Sequence, residues 1–306
     1  MDELRYDGKT AIITGAGRGI GRAHAVLLAA RGANVVVNDL GGAMDGTGSD
    51  PELASAVVAE IVAAGGTAIA DSGDVSTPEG AGALVKRALH AYGGLDIVVN
   101  NAGIIRWTTI PDVAPSEFDR HLAVHVAGTF NVSQAAWPHL ADQRYGRIVN
   151  TVSTGMYGMS DLISYGTAKG GVLGLSRALA DAGRDQGVLV NMIAPNASTR
   201  MASMPRVGTA LDDGVRRELP AELVASVAAY LAHETCSVTG EIYLAGGGGV
   251  ARMFIGQSKG IVRPGLTPED VVENWARIND VTEYVIPIST IDASLKFRAR
   301  VAAGDS

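Results

Sequence analysis

The chain of 306 residues contains one cysteine, Cys236, so no internal disulfide can form. That suits a reducing compartment, and with no nucleophile motif around it Cys236 reads as a small buried apolar residue. Basic runs are missing and the net charge is −7, which argues against a nucleic-acid or anionic-membrane surface. No apolar run reaches the ~18 residues of a membrane span. The first residues, Met1-Asp-Glu-Leu-Arg-Tyr6, lack the basic and apolar regions of a signal peptide. The last ones, ending in Ser306, are not a Ser-Lys-Leu address. The cytoplasm is the expected location, and no metal is expected. What is abundant is glycine: 39 residues, almost twice the usual share of about 7%. With 47% hydrophobic and 19% charged residues, the chain is globular.

Short Val/Ile/Leu runs alternate with helical segments. Thr10–Thr14, Asn34–Asn38, Thr67–Ala70, Leu95–Val99, Arg147–Val152, Val188–Ile193 and Glu241–Leu244 read as seven strands. Continuous aliphatic strands imply burial on both faces, as a parallel sheet requires. The expected fold is α/β, a Rossmann-like doubly wound parallel sheet of seven strands with helices on both faces. A long helix, or two, is expected over residues 116–140. The glycine run Gly246–Gly249 reads as a boundary. It divides a catalytic domain, 1–249, from a C-terminal helical extension, 250–306. Thr267-Pro-Glu-Asp270 has a cap, a proline in the first turn and acids beside it, so a helix should follow. A second helix is expected over residues 289–299. The extension is too short for a core of its own and is expected to pack on the domain or on a partner subunit.

Thr14-Gly-Ala-Gly-Arg-Gly-Ile-Gly21 joins the first strand to the first helix. Gly15, Gly19 and Gly21, with Arg18 and Ile20 between them, let the backbone approach a pyrophosphate, and the helix N-terminus offers free N–H groups to it. Asp39 ends the second strand. An acid there accepts bonds from both ribose hydroxyls and repels a 2′-phosphate, which selects NAD over NADP. Arg18 can instead attract that phosphate, so NADP stays open as the lesser alternative. Asp74 and Val75 follow the third strand and can reach the adenine. In Asn100-Asn101-Ala102-Gly103 the small residues leave space for the cofactor, and the amides can brace the neighbouring strand.

Tyr165 and Lys169 are four apart, one turn of a helix. An ammonium at that distance should favour the phenolate of a group whose free pKa is about 10. Such a tyrosine can exchange a proton with a substrate hydroxyl while hydride moves to the cofactor. Ser153 supplies a hydroxyl for the same substrate oxygen.

Taken in order and spacing, T-G-x-x-x-G-x-G at 14–21, N-N-A-G at 100–103, Ser153 and Y-x-x-x-K at 165–169 resemble the short-chain dehydrogenase/reductase family. The resemblance implies Tyr165 as general acid/base, Lys169 as its partner and ribose clamp, and Ser153 as the substrate-oxygen binder. Val35–Gly42, Ala135–Pro138, Tyr145–Ile148, Ile193–Ala197 with Arg200-Met201, and the Thr-Pro-Glu-Asp-Val tail are similar to the dehydrogenase part of the peroxisomal multifunctional enzyme type 2 group. That likeness implies NAD-linked oxidation of a (3R)-3-hydroxyacyl-CoA, fatty or steroid in its acyl chain, with Pro195 at the cofactor. It also implies a separate enoyl-CoA hydratase as partner, and a homodimer or homotetramer. Two positions depart from the wider family. His125 stands where many members have a catalytic asparagine, and both a proton-relay role and plain helix packing are open. Ser153 and Tyr165 are twelve apart, one fewer than usual, leaving Thr151 and Thr154 as alternative hydroxyls.

On the substrate side, Met156, Tyr157, Met159, Met201 and Met204 suit an irregular apolar ligand or ordinary core gaps. Arg200, Arg206, Arg216 and Arg217 suit CoA phosphates or a solvated loop. Two rivals accompany the acyl-CoA reading. One is a dehydrogenase of a free hydroxysteroid or other secondary alcohol; the other is an NAD-binding scaffold or sensor without turnover.

Overall fold

The computed structural model describes residues 3–198 and 219–304. The chain divides into two compact units, Met1–Arg252 and Met253–Ser306. In the first, Thr10–Thr14 (β1), Asn34–Asn38 (β2), Thr67–Asp71 (β3), Ile97–Asn100 (β4), Gly146–Thr151 (β5), Val188–Pro195 (β6), Ile242–Gly246 (β7) and Gly249–Met253 (β8) form one sheet. The strand order is β3-β2-β1-β4-β5-β6-β7-β8. Strands β1 to β7 pair in parallel. The order reverses between β1 and β4, where an open α/β sheet leaves a crevice for ligands.

Alternation along each strand splits the core into two layers. Ile13, Val35, Val37, Ile97 and Val149 face one side. There they meet Leu28 of helix Gly19–Ala30 (α1), Val57 and Ile61 of helix Glu52–Ala63 (α2), and Leu231 of helix Ala221–Ala232. Ile12, Val36, Val98 and Ile148 face the other, against Leu84 of helix Pro78–Tyr92 (α3) and Val132 and Leu140 of helix Gly128–Asp142 (α5). Each fully buried aliphatic side chain contributes about 1.5–3 kcal/mol, so the sheet is the stable frame from which the loops project.

The sheet has one strand more than the seven expected. Gly247 and Gly248, with φ of 56° and 81°, form a two-residue turn of a kind that needs positive φ at both positions. The chain therefore doubles back as β8 at the sheet edge. A glycine-rich hairpin and a glycine-rich linker have the same composition, so the strand after the run was not expected.

The long helical stretch also differs from a plain helix. Helix Pro115–His121 (α4) passes through a π-helical turn, Leu122–Ala127, before α5 begins at Gly128. Single π turns accommodate one extra residue and concentrate at functional sites.

In the second unit, Gln257–Ser258 (β9) pairs antiparallel with Tyr284–Val285 (β10). Three short helices follow local signals: Pro268–Glu273, Trp275–Ile278 and Thr290–Ala303. Thr267 and Asp270 form a reciprocal capping box, and Ser289 Oγ accepts from the Asp292 amide at 3.1 Å. Apart from Met253, its first residue and also the last of β8, none of this unit's described residues is buried.

Candidate active site

At Gly15 and Gly21 the glycine loop has no room for a side chain. A Cβ on Gly21 would lie 2.2 Å from the Gly15 carbonyl oxygen, and one on Gly15 would lie 2.7 Å from the Ala102 Cα. Asn101 ties the loop down. Its Nδ2 donates to the carbonyls of Thr14 at 3.1 Å and Gly15 at 3.0 Å, while Thr14 Oγ1 accepts from the amides of Asn101 and Ala102. Asp39 Oδ2 accepts from the Gly17 amide and Oδ1 from the Gly41 amide, each at 2.7 Å. These charge-assisted bonds fix the carboxylate, and each oxygen retains lone-pair capacity for a ribose hydroxyl.

Gly15, Arg18, Gly19, Ile20, Gly21, Asp39, Asp74, Val75, Asn101, Ala102 and Gly103 all line one cleft of about 220 Å³. It lies at the C-terminal ends of β1 to β4. Side-chain-free backbone, an anchored acid and a helix N-terminus together fit a dinucleotide. The sequence reading missed several lining residues, among them Leu40, Leu53, Ile104 and Arg120. Leu40 was available as the apolar neighbour of Asp39. Arg120 had no local signal, because it reaches back from α4 to the Gly46 carbonyl at 3.0 Å, across 74 positions.

Ser153, Tyr165, Lys169, His125 and Pro195 lie outside that lining. The first four form a second cluster. Ser153 ends the extension of β5 and caps a single 3₁₀ turn, Thr154–Tyr157, accepting from the Gly155 amide at 3.0 Å. The Ser153 hydroxyl is still close enough to the Tyr165 phenol to favour its phenolate. Thr151 instead offers its carbonyl to Lys169 Nζ, at 2.6 Å. Gly155 is wedged against the tyrosine: a Cβ there would meet the ring at 3.2 Å. Tyr165 and Lys169 enter from helix Ile163–Gly183 (α6), with Nζ 5.7 Å from the ring centre.

The electrostatics correct a simple expectation. Burial raises the Tyr165 pKa, and only the Ser153 hydrogen bond pulls it down. Lys169, itself buried, is pushed down to about 7 by desolvation. Helical spacing foretold that the two groups are neighbours; it carried no information on how dry their surroundings are.

His125 sits in the π turn with its ring edge-on to Tyr165, centroids 5.4 Å apart at 87°. Burial, then the charge of Lys169, holds its pKa well below the usual histidine value, so the imidazole is neutral. Its Nε2 lies 2.8 Å from the Ile104 carbonyl oxygen. The Ile104 amide nitrogen lies farther from the same atom, at 3.2 Å, so we assign the proton to Nε2 on the shorter contact, which leaves Nδ1 as a buried acceptor without a protein partner. The ring rests on Gly103, where a Cβ would come within 2.5 Å of it. Gly103 therefore makes room for the histidine as well as lining the cleft.

Behind the cluster, Asn100 Nδ2 donates to Ser133 Oγ and Asn150 Oδ1, and Asn150 Nδ2 donates to Ser176 Oγ. This buried chain ties β4 and β5 to α5 and α6. Pro195 ends β6, in register with Ala245. Tyr157 and Met159 are exposed, 74% and 40%, and so do not fill core gaps. Met201, Met204, Arg200, Arg206, Arg216 and Arg217 lie outside the described residues.

Fold and cleft together define a dinucleotide-binding protein of the Rossmann-like class. Residues 9–205 match the family model described as short chain dehydrogenase, and the chain belongs to that family, oxidoreductases of CH–OH donors that use NAD or NADP. It is 42% identical over 289 residues to the mouse peroxisomal multifunctional enzyme type 2, covering 93% of this chain but 38% of that protein. A short-chain type dehydrogenase/reductase of Mycobacterium tuberculosis is 41% identical, with 90% of this chain and 95% of the relative aligned. The full-length peroxisomal multifunctional enzyme type 2 of Drosophila melanogaster superposes with a TM-score of 0.81 at 32% identity, over 98% of this chain and 50% of that one. The chain thus spans half or less of the two multifunctional enzymes.

Proposed function

We propose that the protein oxidises a (3R)-3-hydroxyacyl-CoA to the 3-oxoacyl-CoA with NAD. The observation that carries this reading is the extent of the likeness. Similarity to peroxisomal multifunctional enzyme type 2 covers 93% of this chain, well beyond the stretch 9–205 that defines the family. Asp39 supports NAD: its carboxylate is fixed by two amides at the cleft wall, and its charge opposes a 2′-phosphate.

Tyr165 is the base. Its phenolate takes the proton of the 3-hydroxyl, and the Ser153 hydroxyl holds the same oxygen. As the proton leaves, the carbinol C–H electrons depart as hydride and the C–O bond becomes C=O. A bound oxidised nicotinamide would supply the hydride acceptor and a positive charge that favours the phenolate. Lys169, anchored on the Thr151 carbonyl, is the ribose clamp and the second charge available to the tyrosine. The open Nδ1 of His125 accepts a hydrogen bond from a relay water on the proton's way out. A separate enoyl-CoA hydratase would supply the substrate, and a homodimer or homotetramer is the proposed assembly.

The test is initial NADH formation from (3R)-3-hydroxyacyl-CoAs, from short linear chains to a steroid side-chain thioester. NADP, the 3S isomers and the matching free alcohols serve as controls. NAD-linked turnover of a 3R thioester, with higher kcat/KM than its free alcohol, is expected. Turnover of free alcohols alone would move the substrate to the hydroxysteroid class. NAD binding without any oxidation would leave a scaffold.

A further inference from the structure

The second unit contains a cleft of about 260 Å³ that the oxidoreductase chemistry does not use. Three cations line it, Lys259, Lys296 and Arg300, against one acid, Glu283. Its lining is therefore positive in a chain whose net charge is −7. The two lysines have carboxylate partners: Lys259 Nζ lies 3.5 Å from Glu283, and Lys296 Nζ lies 2.8 Å from Asp292. Arg300 is different. Its Nε and Nη2 are buried and neither has a hydrogen-bond partner. Those two N–H groups form one edge of the guanidinium, the edge that grips two oxygens of a phosphate or carboxylate side by side. Buried donors on a cation are rarely left open, because desolvating them without an acceptor is costly.

The remaining walls are apolar. Phe297 and Tyr284 line the cleft, and Phe254 stacks on Tyr284 with centroids 5.4 Å apart at 11°, which fixes that ring. The space exceeds what an inorganic anion needs. We propose that this cleft binds a phosphate-bearing organic molecule, with the Arg300 edge on the phosphate oxygens, the two lysines adding charge at the rim, and the aromatic walls against its organic body. Glu283 and Asp292 offset the two lysines, so the Arg300 edge is the main grip on the anion, and the aromatic walls favour a nucleotide over a simple carboxylate. A free nucleotide and the nucleotide portion of CoA carry the same chemistry. The proposal stands apart from the substrate reading.

The full-length protein, saturated with NAD so that the first cleft is filled, is titrated calorimetrically with inorganic phosphate, ADP and CoA. Saturable binding of at least one nucleotide, tighter than phosphate and weakened by salt, is expected. Arg300→Gln should weaken it about tenfold or more, as loss of a bidentate charged pair implies, while NAD affinity is unchanged. ADP and CoA binding alike points to a nucleotide; CoA alone points to the coenzyme. Lys296→Gln, on the exposed rim, gives a smaller loss and serves if Arg300→Gln does not fold. Binding of neither nucleotide overturns the proposal, and so does nucleotide binding that both variants leave intact.

Discussion

The two units hold their shapes in different ways. The first buries nearly every residue of its central strands, β1, β2, β4, β5 and β6, and fixes its loops with bonds between distant segments, such as Asn101 to Thr14 and Asp39 to Gly17. The second has Met253 as its one buried described residue, and its helices rest on neighbours three positions away, Thr267 with Asp270 and Ser289 with Asp292. Long-range burial makes structure cooperative, so a local change is felt globally. Local capping makes it modular, so a change stays where it is made. The reacting groups belong to the first kind because catalysis needs them held within fractions of an ångström.

Tests of that contrast run from large effects to small. Tyr165→Phe keeps the ring packed on His125 and Gly155 but removes the proton acceptor. Turnover should fall about 10²–10⁴-fold with NAD affinity preserved, and near wild-type kcat would end the assigned role. His24, fully buried in α1 with neither ring nitrogen partnered, has its pKa lowered by burial from 6.5 to about 4. Because the folded value lies below the unfolded one, the unfolded chain takes the proton first. Stability is unaffected above about pH 6.5 and falls as the pH drops towards 4, by about 3 kcal/mol in all. Urea unfolding at several pH values should show a shallower loss in His24→Leu; an unchanged slope assigns the loss elsewhere. His125 contributes with the same sign, so some slope should persist. Gly21→Ala drives a methyl into the Gly15 carbonyl. NAD should bind at least tenfold more weakly, and the whole first unit should lose about 1–3 kcal/mol. At the small end, Thr267→Ala removes a cap worth about 1 kcal/mol. Hydrogen exchange should quicken around residues 268–273 while the unfolding midpoint of the first unit stays put. A global shift in that midpoint would erase the distinction between the units.

The same contrast explains what could be read without a structure. Strands β1 to β7 were legible because aliphatic runs bounded by glycine and asparagine admit little else. The cap at Thr267 was legible because its partner is three residues away. Gly15, Asp39, Asp74 and Asn101 could be placed because they follow strands, and the ends of parallel strands converge. Three features were hidden. The turn at Gly247-Gly248 shares its composition with a linker. Arg120 joins the cleft only through the tertiary fold. The dryness around Tyr165 and Lys169 depends on everything packed over them, which four-residue spacing does not encode.

The π turn at Leu122–Ala127 has one more implication, which concerns insertions and deletions. A helix rotates about 100° per residue, so one residue added to an ordinary helix turns everything beyond it away from its contacts. Here the extra residue is swallowed in a single wide turn, and α5 keeps Val132 and Leu140 in the core while His125 faces Tyr165. Removing any one residue between 122 and 127 would let the helix close to regular pitch without breaking it. The protein would still fold around α5, but the histidine would leave the tyrosine. This short stretch is therefore where the length of the chain, as much as the identity of its residues, decides which side chain faces Tyr165.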